Sequence, residues 1–290
     1  MKRRPVRPAV MVIALMVWIQ LSAAPPVRLM AQTRDSLPAT LLSWRGSPLP
    51  LGDLGPLVTD RPDFTEASST VGLGVVQLET GYTFVRDGDT DAHSWGEPLV
   101  RIGAFTNWFE LRVAAFPLTV SQTDGSGSEW RSGVEDLYLG LKISLTAQEG
   151  VLPEVAVVFQ MTVPTGTAGF SDGRVLPGVN LLYGWDLTDH VSFGGSTQFN
   201  SANDEDGTAF DEWVQSAVLG YDLTHRLGVY AEWYSFHPGG SGKGETKRYL
   251  NGGLAVLATD DLQCDLRAGV GVNDEAEDLF LGVGFSYRFR

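Results

Sequence analysis

The sequence predicts an all-β fold: an antiparallel transmembrane β-barrel of about twelve strands with short periplasmic turns and long outer loops. Three observations predict it. Segments of roughly 10–12 residues alternate strictly between apolar and polar positions, the period of a strand with one greasy and one wet face. A small motif, an apolar residue followed by Thr and a tight polar turn, punctuates them at Thr106, Thr146, Thr188, Thr224 and Thr259. Aromatic side chains gather at the segment ends, where strands cross the lipid–water interfaces.

The strands follow in order. In "VVQLETGYTF" Val76, Leu78, Tyr82 and Phe84 share one face, and Gln77, Glu79 and Thr83 share the other. "EDLYLGLKISL" sets Leu137, Leu139, Leu141, Ile143 and Leu145 against Asp136, Tyr138, Gly140, Lys142 and Ser144. "EVAVVFQMTV" sets Val155, Val157, Phe159, Met161 and Val163 against Glu154, Gln160 and Thr162. "DLFLGVGFSYRF" closes the series, with Leu279 to Phe289 alternating against Gly282, Gly284, Ser286 and Arg288. The full set is 74–85, 95–105, 108–117, 133–145, 153–163, 176–187, 191–200, 212–223, 226–236, 248–258, 262–272 and 278–289. The threonines lie 40, 42, 36 and 35 residues apart with two strands between turns, whereas a propeller blade needs four. Trp108, Phe109, Tyr183, Trp185, Tyr221, Tyr287 and Phe289 form the expected girdle at the short turns. Tyr82, Phe84, Phe199, Trp213, Trp233 and Tyr249 form the one at the long loops. The second strand needs one extra residue, a β-bulge, to reconcile its faces with the turn after it.

The ends and composition agree with a secreted membrane protein. Lys2, Arg3, Arg4 and Arg7 precede the apolar run "AVMVIALMVWIQL", and small residues follow. Residues 1–31 therefore read as a signal peptide cut after Ala24 or Ala31, residues 32–73 as a periplasmic N-terminal segment, and 74–290 as the barrel. Past the signal no apolar run is long enough for a membrane helix. Cys264 is the single cysteine, so no internal disulfide framework exists. A net charge of −14 argues against nucleic acid as a partner.

The segment before strand one contains "TDRPDFTE", Thr59 to Glu66, followed by "QLETGYTF" in the strand itself. With the "LTD"-like turns, these residues resemble the outer-membrane protein family named for the MetA pathway of phenol degradation. That resemblance, over residues 58–290, implies an outer-membrane barrel that passes small hydrophobic or aromatic molecules, with outer-membrane lipid and the barrel-assembly machinery as its partners. The aromatic alternation of Phe285, Tyr287 and Phe289 is similar to the terminal signal read by that machinery, displaced one place by Arg290. Within the box, Asp60, Arg61, Pro62, Asp63 and Glu66 are the candidate functional residues. Pro62 removes a ladder donor and restricts the residue before it, so the box does not extend the sheet. It either folds into the periplasmic mouth, pairing with inward charges such as Arg288 or Arg112, or remains a solvated lead-in.

Inward-facing candidates for the lumen are Glu79, Glu110, Arg112, Asp136, Lys142, Glu154, Asp186, Glu232, Asp265, Arg267 and Arg288. Both signs occur, so they can line a wet pore or satisfy one another in a plugged one. The outer loops are acidic, except "HPGGSGKGETKR". Asp87, Asp89 and Asp91 have the spacing of a calcium loop's start but lack its sixth-position glycine and twelfth-position acid. No cofactor or metal is expected. An outer-membrane phospholipase would use a His and Ser two apart with an Asn on a neighbouring strand, which His190, Ser192 and Asn180 match in spacing alone. His190 falls in a short turn, so the expected protein is not an enzyme. The expected function is a channel for small hydrophobic or aromatic compounds; the alternative is a closed structural or surface-interaction barrel.

Overall fold

The computed structural model describes residues 54–290 apart from 116, 124–128, 205–206, 240–243 and 290; the signal peptide and residues 32–53 lie outside the described residues. The described chain is built of strands, β1 (Val76–Asp87), β2 (Thr90–Gly103), β3 (Phe109–Ala114), β4 (Leu118–Thr123) and β5 (Glu129–Val134) leading. Then come β6 (Leu137–Thr146), β7 (Glu154–Val163), β8 (Leu176–Asp186), β9 (Val191–Asn203) and β10 (Ala209–Thr224). Last are β11 (Leu227–Pro238), β12 (Lys247–Thr259), β13 (Leu262–Gly271) and β14 (Leu279–Phe289).

Each strand pairs antiparallel with its neighbour, and β1 pairs with β14 from Val76↔Phe289 to Arg86↔Leu279, which closes the sheet. β3 and β4 lie end to end along β2, and β6 and β5 lie along them in turn. Pro117, which has no N–H to give the ladder, sits at the first break, and its carbonyl accepts the Glu135 N–H at 3.2 Å across the second. Each broken pair counts as one spanning strand, so the fourteen segments make a closed barrel of twelve.

The faces are inverted relative to a water-soluble protein. Outward residues Leu141, Phe159, Val179, Leu181, Leu266, Leu281, Val283 and Phe285 are exposed, while Glu79, Arg101, Glu110, Arg112, Lys142 and Asn180 are buried inside. An unpaired sheet edge cannot exist in hydrocarbon, and closure removes it. With this apolar exterior the protein is an outer-membrane barrel of the bacterial envelope. Leu141 stands at the middle of β6 on the lipid side. Leu141→Arg is expected to lower stability by about 2–4 kcal/mol, read from urea unfolding of the lipid-refolded barrel.

Several local expectations need correction. The stretch 86–94 is not a long loop, because β1 and β2 continue outward to a tight turn at Gly88 and Asp89. Asp91 there is held by Arg86 at 2.7 and 2.8 Å. The bulge expected in the second strand is present and lies at Gly96–Glu97, both with positive φ, and Phe105 in the following turn takes φ 62°. Tyr249 does not join the outer girdle; it points inward, buried against Tyr234.

Candidate functional site

The wall of the lumen between β1 and β6 carries a charge imbalance. Arg101 and Arg112 stand directly opposite each other on β2 and β3, and Glu110 opposes Lys142 across β3 and β6. Like charges in register repel. Glu110 bridges the arginines, accepting from Arg101 Nε at 2.8 Å and from Arg112 Nη1 at 3.2 Å. Glu79 accepts from Arg101 Nη1 at 3.1 Å. The wall thus offers three cations and two carboxylates, and the missing anion comes from the lead-in.

Residues from Leu54 to Val75 run through the lumen as a plug. Asp60 supplies that third carboxylate: its oxygens lie 2.5 Å from Arg112 Nη1, 3.1 Å from Lys142 Nζ and 3.3 Å from Arg101 Nη1. Its own N–H donates back to Glu79 at 3.0 Å, and Arg61 N–H reaches the same carboxylate. Glu66 adds a second contact to Arg112 at 2.7 Å. Arg101, Arg112, Lys142, Glu79 and Glu110 are each no more than 1 % exposed, so this side of the lumen is closely packed. Breaking one partner out of such a cluster leaves an uncompensated buried charge.

The rest of the box is equally engaged. Arg61 lies over Gly81 and Gly284, which face each other across β1 and β14, and a methyl group on either would overlap its guanidinium. From there Arg61 reaches Glu97 at 3.2 Å and Asp265 at 3.4 Å. The Arg61–Pro62 peptide is cis, and the Pro62 carbonyl accepts from Arg267 at 3.4 Å. Asp63 is near Glu232. Glu232 receives the N–H groups of Phe64 at 2.8 Å and Thr65 at 2.7 Å, and Thr65 Oγ1 sits 2.7 Å from Ser216 Oγ. Farther along, Ser68 donates to Glu154 at 2.6 Å and Val71 N–H to Glu110 at 2.9 Å.

Both ends of the plug are stapled to the barrel's periplasmic rim. Leu57 N–H donates to the Asp260 carbonyl at 3.0 Å; at the exit, Gly74 and Gly103 exchange with Gly103 and Val75 through two backbone bonds of 2.9 Å. Arg288 pairs with Asp261 at 2.8 Å and donates to the Gly55 carbonyl at 2.9 Å.

Of the remaining lumen candidates, two stand apart from this cluster. Asp136 lies at the break between β5 and β6, where its carboxylate accepts the N–H groups of Thr165, Gly166 and Asp172 and folds down the 164–175 loop. Asp186 is exposed at the short-turn rim of β8. Arg101 and Gln77 belong to the cluster although neither was among the sequence candidates; the outward Val100 and Ile102 flanking Arg101 were the available signal. His190, Ser192 and Asn180 do not meet. Ser192 opposes Asp186 and Asn180 opposes Gln198, six residues apart along β8, about 20 Å at the usual strand rise. Ser192→Ala is expected to leave phospholipid turnover by the refolded protein unchanged from background, measured by fatty-acid release.

Outward of the plug the lumen opens into a cavity of about 560 Å³. Val85, Pro98, Leu99, Ala114 and Pro117 give it apolar patches, and Arg112, Tyr138 and the carboxylates Glu66, Glu97, Glu135 and Asp136 belong to its polar lining. Its size falls in the range of small-molecule sites.

Known proteins share this architecture. The family model described as "Putative MetA-pathway of phenol degradation" matches residues 59–289. The COG4313 outer membrane channel from Pseudomonas putida F1 is covered completely (100%) by 83% of this chain, at 14% identity and TM-score 0.59. The NanC porin is covered to 98% by 73% of the chain, at 10% identity and TM-score 0.50. No curated protein matches the sequence.

Proposed function

The chain belongs to the MetA-pathway phenol-degradation family of outer-membrane barrels, and from that premise we propose that it is a gated channel for small hydrophobic or aromatic compounds. One observation carries the reading: a partly apolar cavity of about 560 Å³ lies against the lead-in segment that fills the lumen, and that segment is held by side-chain and backbone contacts rather than by the sheet ladder. Solute collects in the cavity from outside, and the plug must yield for it to pass. Charged wall groups that the plug now satisfies become the wet lining of the open state. The periplasmic box is then the gate, with Asp60 as its anchor.

Planar-bilayer recording of the refolded mature chain tests this. Discrete current steps that shrink on adding phenol support channel and cargo together. Steps indifferent to phenol keep the channel and discard the cargo. A second reading, a closed structural barrel, draws on the same saturated ion cluster, and a folded barrel without any steps would favour it.

A further inference from the structure

On the side of the lumen away from the ion cluster, the plug inserts a ring into a column of rings. Phe64 stacks on Tyr234 with centroids 4.4 Å apart and planes 11° apart, and Tyr234 stacks on Tyr249 at 4.7 Å and 19°. Phe236 meets Phe64 edge-on at 5.5 Å and 75°. Tyr234 and Phe236 come from β11 and Tyr249 from the adjacent β12, so the slot belongs to the wall and outlasts any movement of the plug. Parallel and edge-on contacts of this kind favour any flat aromatic ring, whichever molecule supplies it.

The slot has a polar end. Glu232 takes three of its donors from the plug, the N–H groups of Phe64 and Thr65 and the Thr65 hydroxyl, and only Asn251 Nδ2, at 2.9 Å, from the wall. When Phe64 leaves, a buried carboxylate loses the donor that came with the ring, and an unpaired buried acceptor is costly. A ligand that stacks on Tyr234 and also carries an O–H or N–H replaces both interactions at once. A bare hydrocarbon ring replaces one, and a ring bearing a carboxylate is repelled. The slot also has an approach: Val85 packs against the ring cluster and lines the outer cavity.

We propose that the slot formed by Tyr234, Phe236, Tyr249 and Glu232 is a binding site for a neutral aromatic ring carrying a hydroxyl or amino donor, and that Phe64 occupies it as an internal competitor. Ligand binding and closure of the plug are therefore mutually exclusive. The proposal rests on the channel reading for its purpose but not for its binding chemistry.

The test is ¹⁹F NMR titration of the full-length refolded protein with 4-fluorophenol, fluorobenzene and 4-fluorobenzoate. Heat-shifted gel mobility first establishes that each variant is folded. Phe64→Ala removes the competing ring; combined with Asp60→Asn, which loosens the plug and with it the donors that residues 64 and 65 give Glu232, it is expected to bind 4-fluorophenol about tenfold more tightly than Asp60→Asn alone, the scale of one lost aromatic competitor. Fluorobenzene follows more weakly, and 4-fluorobenzoate does not bind. Adding Tyr234→Leu to this double variant is expected to abolish the gain, and adding Glu232→Gln to narrow the preference for fluorophenol over fluorobenzene. Unchanged fluorophenol affinity when Phe64→Ala joins Asp60→Asn, or equal affinity for all three probes, overturns the proposal. Current recordings separate it from the channel reading. Phenol-sensitive steps with no slot binding sink the slot alone, whereas slot binding in a barrel that never conducts supports the slot and sinks the channel.

Discussion

Asp60→Asn is expected to turn a barrel that opens rarely into one that stays open most of the time. The substitution keeps the shape of the side chain and removes its charge. Three cations, Arg101, Arg112 and Lys142, then share the two wall carboxylates Glu79 and Glu110 in a buried region. Losing one partner of a buried ionic cluster costs about 3–5 kcal/mol. The barrel wall has its own ladder on both sides of every strand but β5 and survives that loss. The plug has only its contacts with the wall. The cost therefore falls on plug docking, and the expected readouts are frequent open steps in planar bilayers and rapid proteolysis within residues 54–75. Heat-shifted mobility should stay that of a folded barrel. Loss of that mobility instead would mean that the plug is part of the barrel's folding core.

Gly103→Ala attacks the exit of the plug from the opposite direction, by sterics. Gly103 ends β2 on the lumen side, and a methyl group there would overlap the Gly72 carbonyl oxygen. Both partners are backbone, so no side chain can rotate away. The two 2.9 Å backbone bonds between Gly103 and residues 74 and 75 must open together. Two lost hydrogen bonds plus overpacking amount to about 2–4 kcal/mol. Urea unfolding should show a lowered midpoint, and cleavage near Gly72 should precede unfolding of the barrel. An unchanged midpoint would place the close approach of Gly72 and Gly103 outside the forces that hold the plug.

Much of the fold is written in local pattern. Alternation assigns Leu141 and Phe159 to lipid and Lys142 and Arg288 to the lumen, because a strand's faces differ by one residue and the lipid face tolerates no charge. Where alternation fails, so does the assignment. Tyr249 sits in "RYLNGG", with no apolar partner two residues on, and its inward direction follows only from pairing with Tyr234. The extra segments β4 and β5 were hidden by Pro117, which reads as a strand end yet interrupts a strand that resumes at once. The plug was legible as a segment that cannot join the sheet, but its partners were not. Asp60 lies 52 residues from Arg112 and 82 from Lys142, and only the stagger of the closed barrel brings them to one height. The ring of Phe64 in the column of Tyr234 and Tyr249 is of the same kind, a contact between distant strands with no local signature.

The central claim is that solute passes only when the plug leaves the wall. Thr65 and Ser216 face each other with their hydroxyl oxygens 2.7 Å apart, close enough for a disulfide between cysteines at the two positions. The measurement is the current through Thr65→Cys/Ser216→Cys barrels, with Cys264→Ala to remove the native thiol, before and after a reductant. The account predicts no steps while the plug is locked and steps of unaltered size once it is freed. Equal currents in both states would show that the conducting path bypasses the plug.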